Sequence, residues 1–114
     1  MQPEALKLLV DIQNALRDRR RFYCGMDFGM YRIDTMCRAA VERKFEVIGE
    51  ACTRIRDRYP DLLLDIDSAS QIIGFRNRLI HGYDNVDDAI VWDVVTLKLP
   101  KLKHQIDALL ISAF

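Results

Sequence analysis

Apolar residues recur every three or four positions along nearly the whole chain, the period of an amphipathic helix and not of a strand. Leu6, Leu9, Ile12, Gln13 and Leu16 set this spacing in a first helix from about residue 4 to residue 22. Pro3 suits its first turn, and Arg17, Asp18, Arg19, Arg20 and Arg21 close it where cations are favoured. Cys24, Gly25 and Asp27 mark a short loop. A second helix, about residues 29–58, carries the stripe Ile33, Cys37, Ala40, Val41, Lys44, Ile48, Ala51, Cys52 and Ile55. Gly49 lies beside that stripe; it costs helix stability relative to alanine, so its place implies a close helix–helix approach. Pro60 stops the run, and Leu62, Leu63 and Leu64 form an apolar plug. Asp67 or Ser68 caps a third helix over 69–81, with Gly82 placed as a left-handed cap.

A fourth helix starts near Asp87 with Ile90, Val91, Val94 and Val95 on its apolar face, and Leu102, Ile106, Leu109 and Leu110 continue it. Pro100 should kink or split it. The β-branched run at 90–95 could pass for a strand, but its flanks are helical and no partner strand exists. The expected architecture is all-α, an antiparallel bundle with short connections, and its 114 residues fit one domain.

Lysine plus arginine equals aspartate plus glutamate, 17 each. Zero net charge argues against coating nucleic acid by bulk charge, though not against a local basic site. Cys24, Cys37 and Cys52 are odd in number and lack Cys-x-x-Cys spacing. Cys37 and Cys52 read as buried small hydrophobes, and a reducing compartment fits better than a disulfide framework. With only His81 and His104 besides, no metal cluster of usual spacing is present. Glu4 and Asp11 interrupt the N-terminal segment, so no signal-peptide core is expected. No stretch of about 18 apolar residues occurs, and a cytoplasmic location is expected.

Chemistry concentrates in Arg76-Asn77-Arg78-Leu79-Ile80-His81-Gly82-Tyr83. At about 100° per residue, Arg76 and Tyr83 share one face and Asn77 and His81 the adjoining one. This set suits phosphodiester cleavage by an internal 2′-hydroxyl. Histidine shuttles protons near neutrality, and the arginine fork matches phosphate oxygens. Asn77 would orient the phosphate or the imidazole, and Tyr83 offers a hydroxyl and a stacking face. No metal or other cofactor is required. An Arg–His pair five apart equally suits a surface salt-bridge face and a cation at a helix end, so the spacing alone leaves these readings open.

The stretch resembles the Arg-x4-His-x-Tyr motif of HEPN domains in the HepT-like group. Ala40-Val41-Glu42-Arg43-Lys44-Phe45-Glu46-Val47-Ile48-Gly49-Glu50-Ala51 resembles that group's second-helix signature. Tyr31 to Asp34 resembles its aromatic-x-x-Asp pattern, and Val86 to Trp92 and Leu99-Pro100-Lys101-Leu102 its C-terminal segment. The resemblance covers nearly the whole chain in order and implies a single HEPN/HepT-like domain over residues 1–114. It further implies a four- to five-helix bundle and a two-fold homodimer whose motif helices form a composite cleft. The implied activity is that of a metal-independent endoribonuclease, the toxin of a type VII toxin–antitoxin pair. Its partner would be an MntA-type minimal nucleotidyltransferase that attaches AMP to the motif tyrosine. Carried over, the catalytic pair is Arg76 and His81, the supporting polar residue Asn77 and the modified residue Tyr83. Gly82 stands where many members carry a larger residue. The competing function is a non-catalytic HEPN subunit that docks the transferase and presents substrate to it; four intact motif residues favour the enzyme.

Outside the motif, Arg17, Arg19, Arg20 and Arg21 read first as a solvated helix end, and second as a footprint for RNA or an acidic partner face. His104 reads as a surface residue, Asp34 as a cap, Trp92 as core packing and Cys24 as a loop residue without a nucleophile's surroundings.

Overall fold

A computed structural model of the protein describes residues 1–23, 25–81 and 87–113, with the backbone alone at Leu79, Ile80 and His81. Six α-helices make up the described chain: α1 Pro3–Tyr23, α2 Phe28–Ile33, α3 Thr35–Arg58, α4 Ala69–His81, α5 Asp88–Asp93 and α6 Leu99–Ala113. A 3-10 turn over Pro60–Leu64 joins α3 to α4, and a π-helical turn over Val94–Lys98 joins α5 to α6. No strand occurs among the described residues, as the helical period required. No described helix is long and apolar enough to cross a membrane.

The long α3 is the element on which the others pack. It meets α1 along its length, α4 on another face and α2 near its start. Glu4 of α1 pairs with Arg58 and Asp18 with Lys44, so α1 and α3 run antiparallel. α6 packs antiparallel on α1: Gln13 donates to Asp107 at 2.9 Å, while Val10 and Arg17 share a cleft with Leu110 and Lys103. Leu9, Ile12, Leu16, Tyr31, Phe45, Ile48, Ile55, Ile72, Leu99, Leu102 and Ile106 are fully buried between these helices. Apolar burial of this kind contributes roughly 1.5–3 kcal/mol per large side chain. Cys37 and Cys52 belong to this core, as expected, and burial pushes the Cys52 thiol up to about 12.

The expected second helix is two helices. Asp34 ends α2 in extended backbone, φ −93° and ψ 92°, and its side chain accepts from the Cys37 N–H at 2.9 Å. An aspartate satisfying an orphan donor is a strong N-cap, and here it outweighs the continuous apolar spacing. The break resets the helical phase, so Ile33 leaves the stripe and stands 77% exposed. With Met30 and Met36 it lines an open apolar hollow. Lys44, also placed on the stripe, is instead half-exposed and paired with Asp18 at 3.2 Å. Asp87 caps α5 as expected, accepting from Ala89 and Ile90, but Ile90 is exposed. Ser68 holds the cap position of α4, its carbonyl accepting from Ile72, while the Asp67 carboxylate accepts from Gln105 of α6 at 2.6 Å. Of the leucine plug, Leu62 and Leu63 pack on the core and Leu64 is exposed. Gly82 lies outside the described residues.

Pro100 acts as expected on the last helix, but the break precedes it. Its ring blocks regular α bonding to the turn before, and the chain widens to a π turn in which Leu99 N–H reaches Val94 O. The next carbonyl in that register, Val95, would bond to the N–H that Pro100 lacks. Arg19 fills the gap: its Nη1 donates to Val95 O at 3.0 Å, joined by the Tyr23 hydroxyl at 3.3 Å. Arg19 is therefore 2% exposed and bonded to Tyr23. The expectation of a solvated arginine cluster fails at Arg19 and stands for Arg17, Arg20 and Arg21, which are exposed. Trp92 packs against Tyr23, Phe28 and Tyr31, with ring centroids 5.0–6.4 Å apart, and His104 is exposed.

Gly49 produces the close approach its place implied. A β-carbon there would lie 2.5 Å from Cγ and 2.7 Å from Cβ of Arg76, so α3 and α4 touch with an arginine stem against bare backbone. One turn earlier on α3, Phe45 packs edge-to-face on Phe75 of α4, centroids 5.5 Å apart.

Two stability outcomes follow. Arg19→Leu leaves the Val95 carbonyl short of a donor and should lower stability by about 1–3 kcal/mol, read as a Tm several degrees lower; an unchanged melt would show that carbonyl satisfied otherwise. Gly49→Ala should also melt lower, because an overpacking cost of about 1–3 kcal/mol exceeds the roughly 1 kcal/mol of added helix propensity. A variant melting above the wild type would contradict the close approach.

Candidate functional site

The second turn of α4 carries Phe75 and Arg76 where the helix crosses α3. Phe75 turns toward the core, and its neighbour Arg76 lays its aliphatic stem over Gly49. The guanidinium comes to rest against the next α3 residue: Nη2 donates to Glu50 Oε2 at 2.9 Å. Arg76 keeps 20% of its side-chain surface exposed, and its Nε is buried without a partner among the described residues. The other oxygen of Glu50 accepts from Arg54 Nε at 3.3 Å, so one carboxylate is held between two arginines.

These residues edge a groove of about 420 Å³ between α1 and α3. Arg43, Lys44, Arg54 and Arg76 line it together with Asp11, Asp18, Glu46 and Glu50. Lys44 pairs with Asp18 and Arg43 with Glu46, so the cations are locally balanced by carboxylates. Exposed pairs of this kind contribute roughly 0–1 kcal/mol each; their consequence here is a groove without strong net potential. Arg76, the least exposed cation of the four, is the one best fixed in direction.

Asn77 is exposed on α4, and His81 is the last residue of that helix. The helix is continuous from Arg76 to His81, which sets the two positions about 7.5 Å apart along the axis and about 140° around it. Tyr83 and the His81 side chain lie outside the described residues, as does Cys24, so the expected sharing of a face by Arg76 and Tyr83 is not described. Beyond the 82–86 segment, Asp88 of α5 accepts from Arg38 of α3 at 2.7 Å. Burial is the first cause, and the Asp88 charge the next, that lift the nearby Glu42 carboxyl above the usual carboxylate range. Burial first, then the Glu42 and Asp88 charges, push the Tyr31 phenol up strongly.

The sequence motif holds Arg76 but not Glu50, its partner 26 positions earlier. Glu50 stood in the second-helix segment, next to the glycine that signalled close packing; that adjacency was the available signal, and no local spacing rule joins residues so far apart.

Comparison with known proteins gives a consistent result. Residues 12–109 match the family described as ribonuclease HepT-like. A Methanocaldococcus jannaschii protein named "Putative RNase MJ1380" is 31% identical over 103 residues, covering 87% of this chain and 90% of that protein. A Thermococcus cleftensis protein named "Probable ribonuclease HepT" is 31% identical over 101 residues, covering 89% and 91%. No solved structure matches closely enough to count as a relative. A match across most of the chain, with Gly49, Glu50 and Arg76 all inside it, places this protein in the ribonuclease HepT-like family.

Proposed function

We propose that this protein is a metal-independent endoribonuclease, the toxin of a pair whose antitoxin is an MntA-type nucleotidyltransferase. The observation that carries the reading is Arg76: a partly shielded guanidinium with a fixed direction, five residues before a histidine on one unbroken helix, in a chain of the HepT-like family. In this chemistry the 2′-oxygen attacks the adjacent phosphorus and the 5′-oxygen leaves. The products are a 2′,3′-cyclic phosphate and a 5′-hydroxyl end. His81 takes the 2′-hydroxyl proton or supplies one to the leaving oxygen. Arg76 bonds the phosphorane oxygens as charge develops there. Asn77, exposed one position further on, is available to orient the phosphate.

Positions 76 and 81 diverge around one helix by about 140°. A homodimer that brings two such helices together therefore suits the reading: a strand of RNA lying between copies could meet arginine and histidine from opposite chains. Neutralisation acts at Tyr83. An AMP group there adds a phosphodiester charge two residues from His81, where it competes with RNA for the same donors.

Expression without the transferase should arrest growth, and purified protein should cut RNA but not the corresponding DNA. Arg76→Ala and His81→Ala should each lower cleavage by about 100-fold or more and relieve the arrest. Undiminished cleavage in either variant would refute that residue's catalytic role, and a wild type that neither cuts RNA nor arrests growth would leave the docking function. Incubation with the transferase and ATP should add the mass of one or more AMP units to the wild type. The same gain in Tyr83→Phe would move the modification elsewhere.

A further inference from the structure

We propose that Glu50 is a positioning residue for Arg76, holding its guanidinium in the orientation that catalysis uses. The inference rests on the ribonuclease reading above and deepens it. Arg76 is fixed at two points, and the group that holds the second is itself held. The stem lies on Gly49, where no β-carbon intervenes. The head donates through Nη2 to Glu50 Oε2 at 2.9 Å. The carboxylate that receives it is itself oriented from its other oxygen by Arg54 at 3.3 Å. An arginine side chain has four rotatable bonds, and a transition-state donor is effective only when its direction is set before the charge develops. With Nη2 committed to Glu50 and Nε buried, the Nη1 N–H groups are left for a phosphate.

Glu50 also has a cost that separates positioning from binding. Its negative charge stands beside the place where an RNA phosphate would meet Arg76, and it weakens ground-state attraction. A residue that supports the transition state while opposing substrate binding leaves a distinct kinetic signature. Removing it should lower kcat while KM for RNA stays constant or falls. A residue needed only for folding would lower kcat and raise KM together, in step with a lower Tm.

The test is a steady-state assay on an RNA oligonucleotide, with a thermal melt of every protein, for wild type, Glu50→Ala, Glu50→Gln, Arg76→Ala and the Glu50→Ala/Arg76→Ala double variant. Glu50→Ala should lose about 10- to 100-fold in kcat with no rise in KM. Glu50→Gln, whose amide oxygen still accepts from Arg76, should recover much of that loss at a near-wild-type Tm. In the double variant, kcat should equal that of Arg76→Ala alone, because a positioning residue has nothing left to position. Wild-type kcat in Glu50→Ala, or losses that multiply in the double variant, would overturn the proposal. If Glu50→Ala does not fold, Glu50→Leu replaces it: a folded Glu50→Leu protein, which offers Arg76 no acceptor, overturns the proposal as well if its kcat is that of the wild type. Arg76→Ala cleaving at the wild-type rate would instead refute the catalytic role of Arg76 itself and remove the positioning role with it.

Discussion

An arginine stem against a bare glycine is the contact that fixes the geometry of this bundle around its candidate site. Without a β-carbon at Gly49, α4 approaches α3 closely enough for Arg76 to lie across the α3 backbone. The adjacent Phe45–Phe75 contact seals the apolar side of the same crossing. One crossing thus has a dry half made of rings and a half-wet half made of an arginine and a carboxylate. The wet half opens on the groove between α1 and α3. A larger residue at position 49 would separate the helices and release the arginine together, so packing and site geometry are coupled at one position.

A second dependence runs through the turn that joins α5 to α6. Pro100 removes one backbone donor, the helix relaxes into a π turn, and a carbonyl is left in a part of the core that water does not reach. Arg19 crosses from α1 to serve it, with Tyr23 alongside. Burial lowers the pKa of Arg19 from its ordinary value, but arginine begins so high that it stays charged. This charge-assisted bond ties α1 to the π turn as the Asp107–Gln13 bond ties it to α6.

Local rules were reliable wherever a residue's role is set by its immediate neighbours. The helices, the caps at Asp34 and Asp87, the stop at Pro60 and the buried thiols were all readable in this way. They failed where two local signals competed: Asp34 was recognised as a cap, yet the apolar spacing across it suggested continuity. Capping won because an unsatisfied helix end costs more than a shift of phase, and Ile33 was exposed as a result. Arg19 misled for another reason. Four arginines at a helix end look alike in sequence, and only the position of a carbonyl 76 residues away distinguishes the buried one.

The amino-acid sequence by itself determined the all-helical class, because hydrophobic periodicity is a property of neighbours along the chain, and it singled out Arg76, Asn77, His81 and Tyr83, because a short motif is written in consecutive residues. Tertiary structure alone decided that Glu50 and not solvent faces Arg76, that Arg19 is interior, and that α3 carries both the core and the edge of the groove. Those outcomes depend on which helices cross and at what distance, and that is set by the packing of side chains far apart in sequence, which no local pattern encodes.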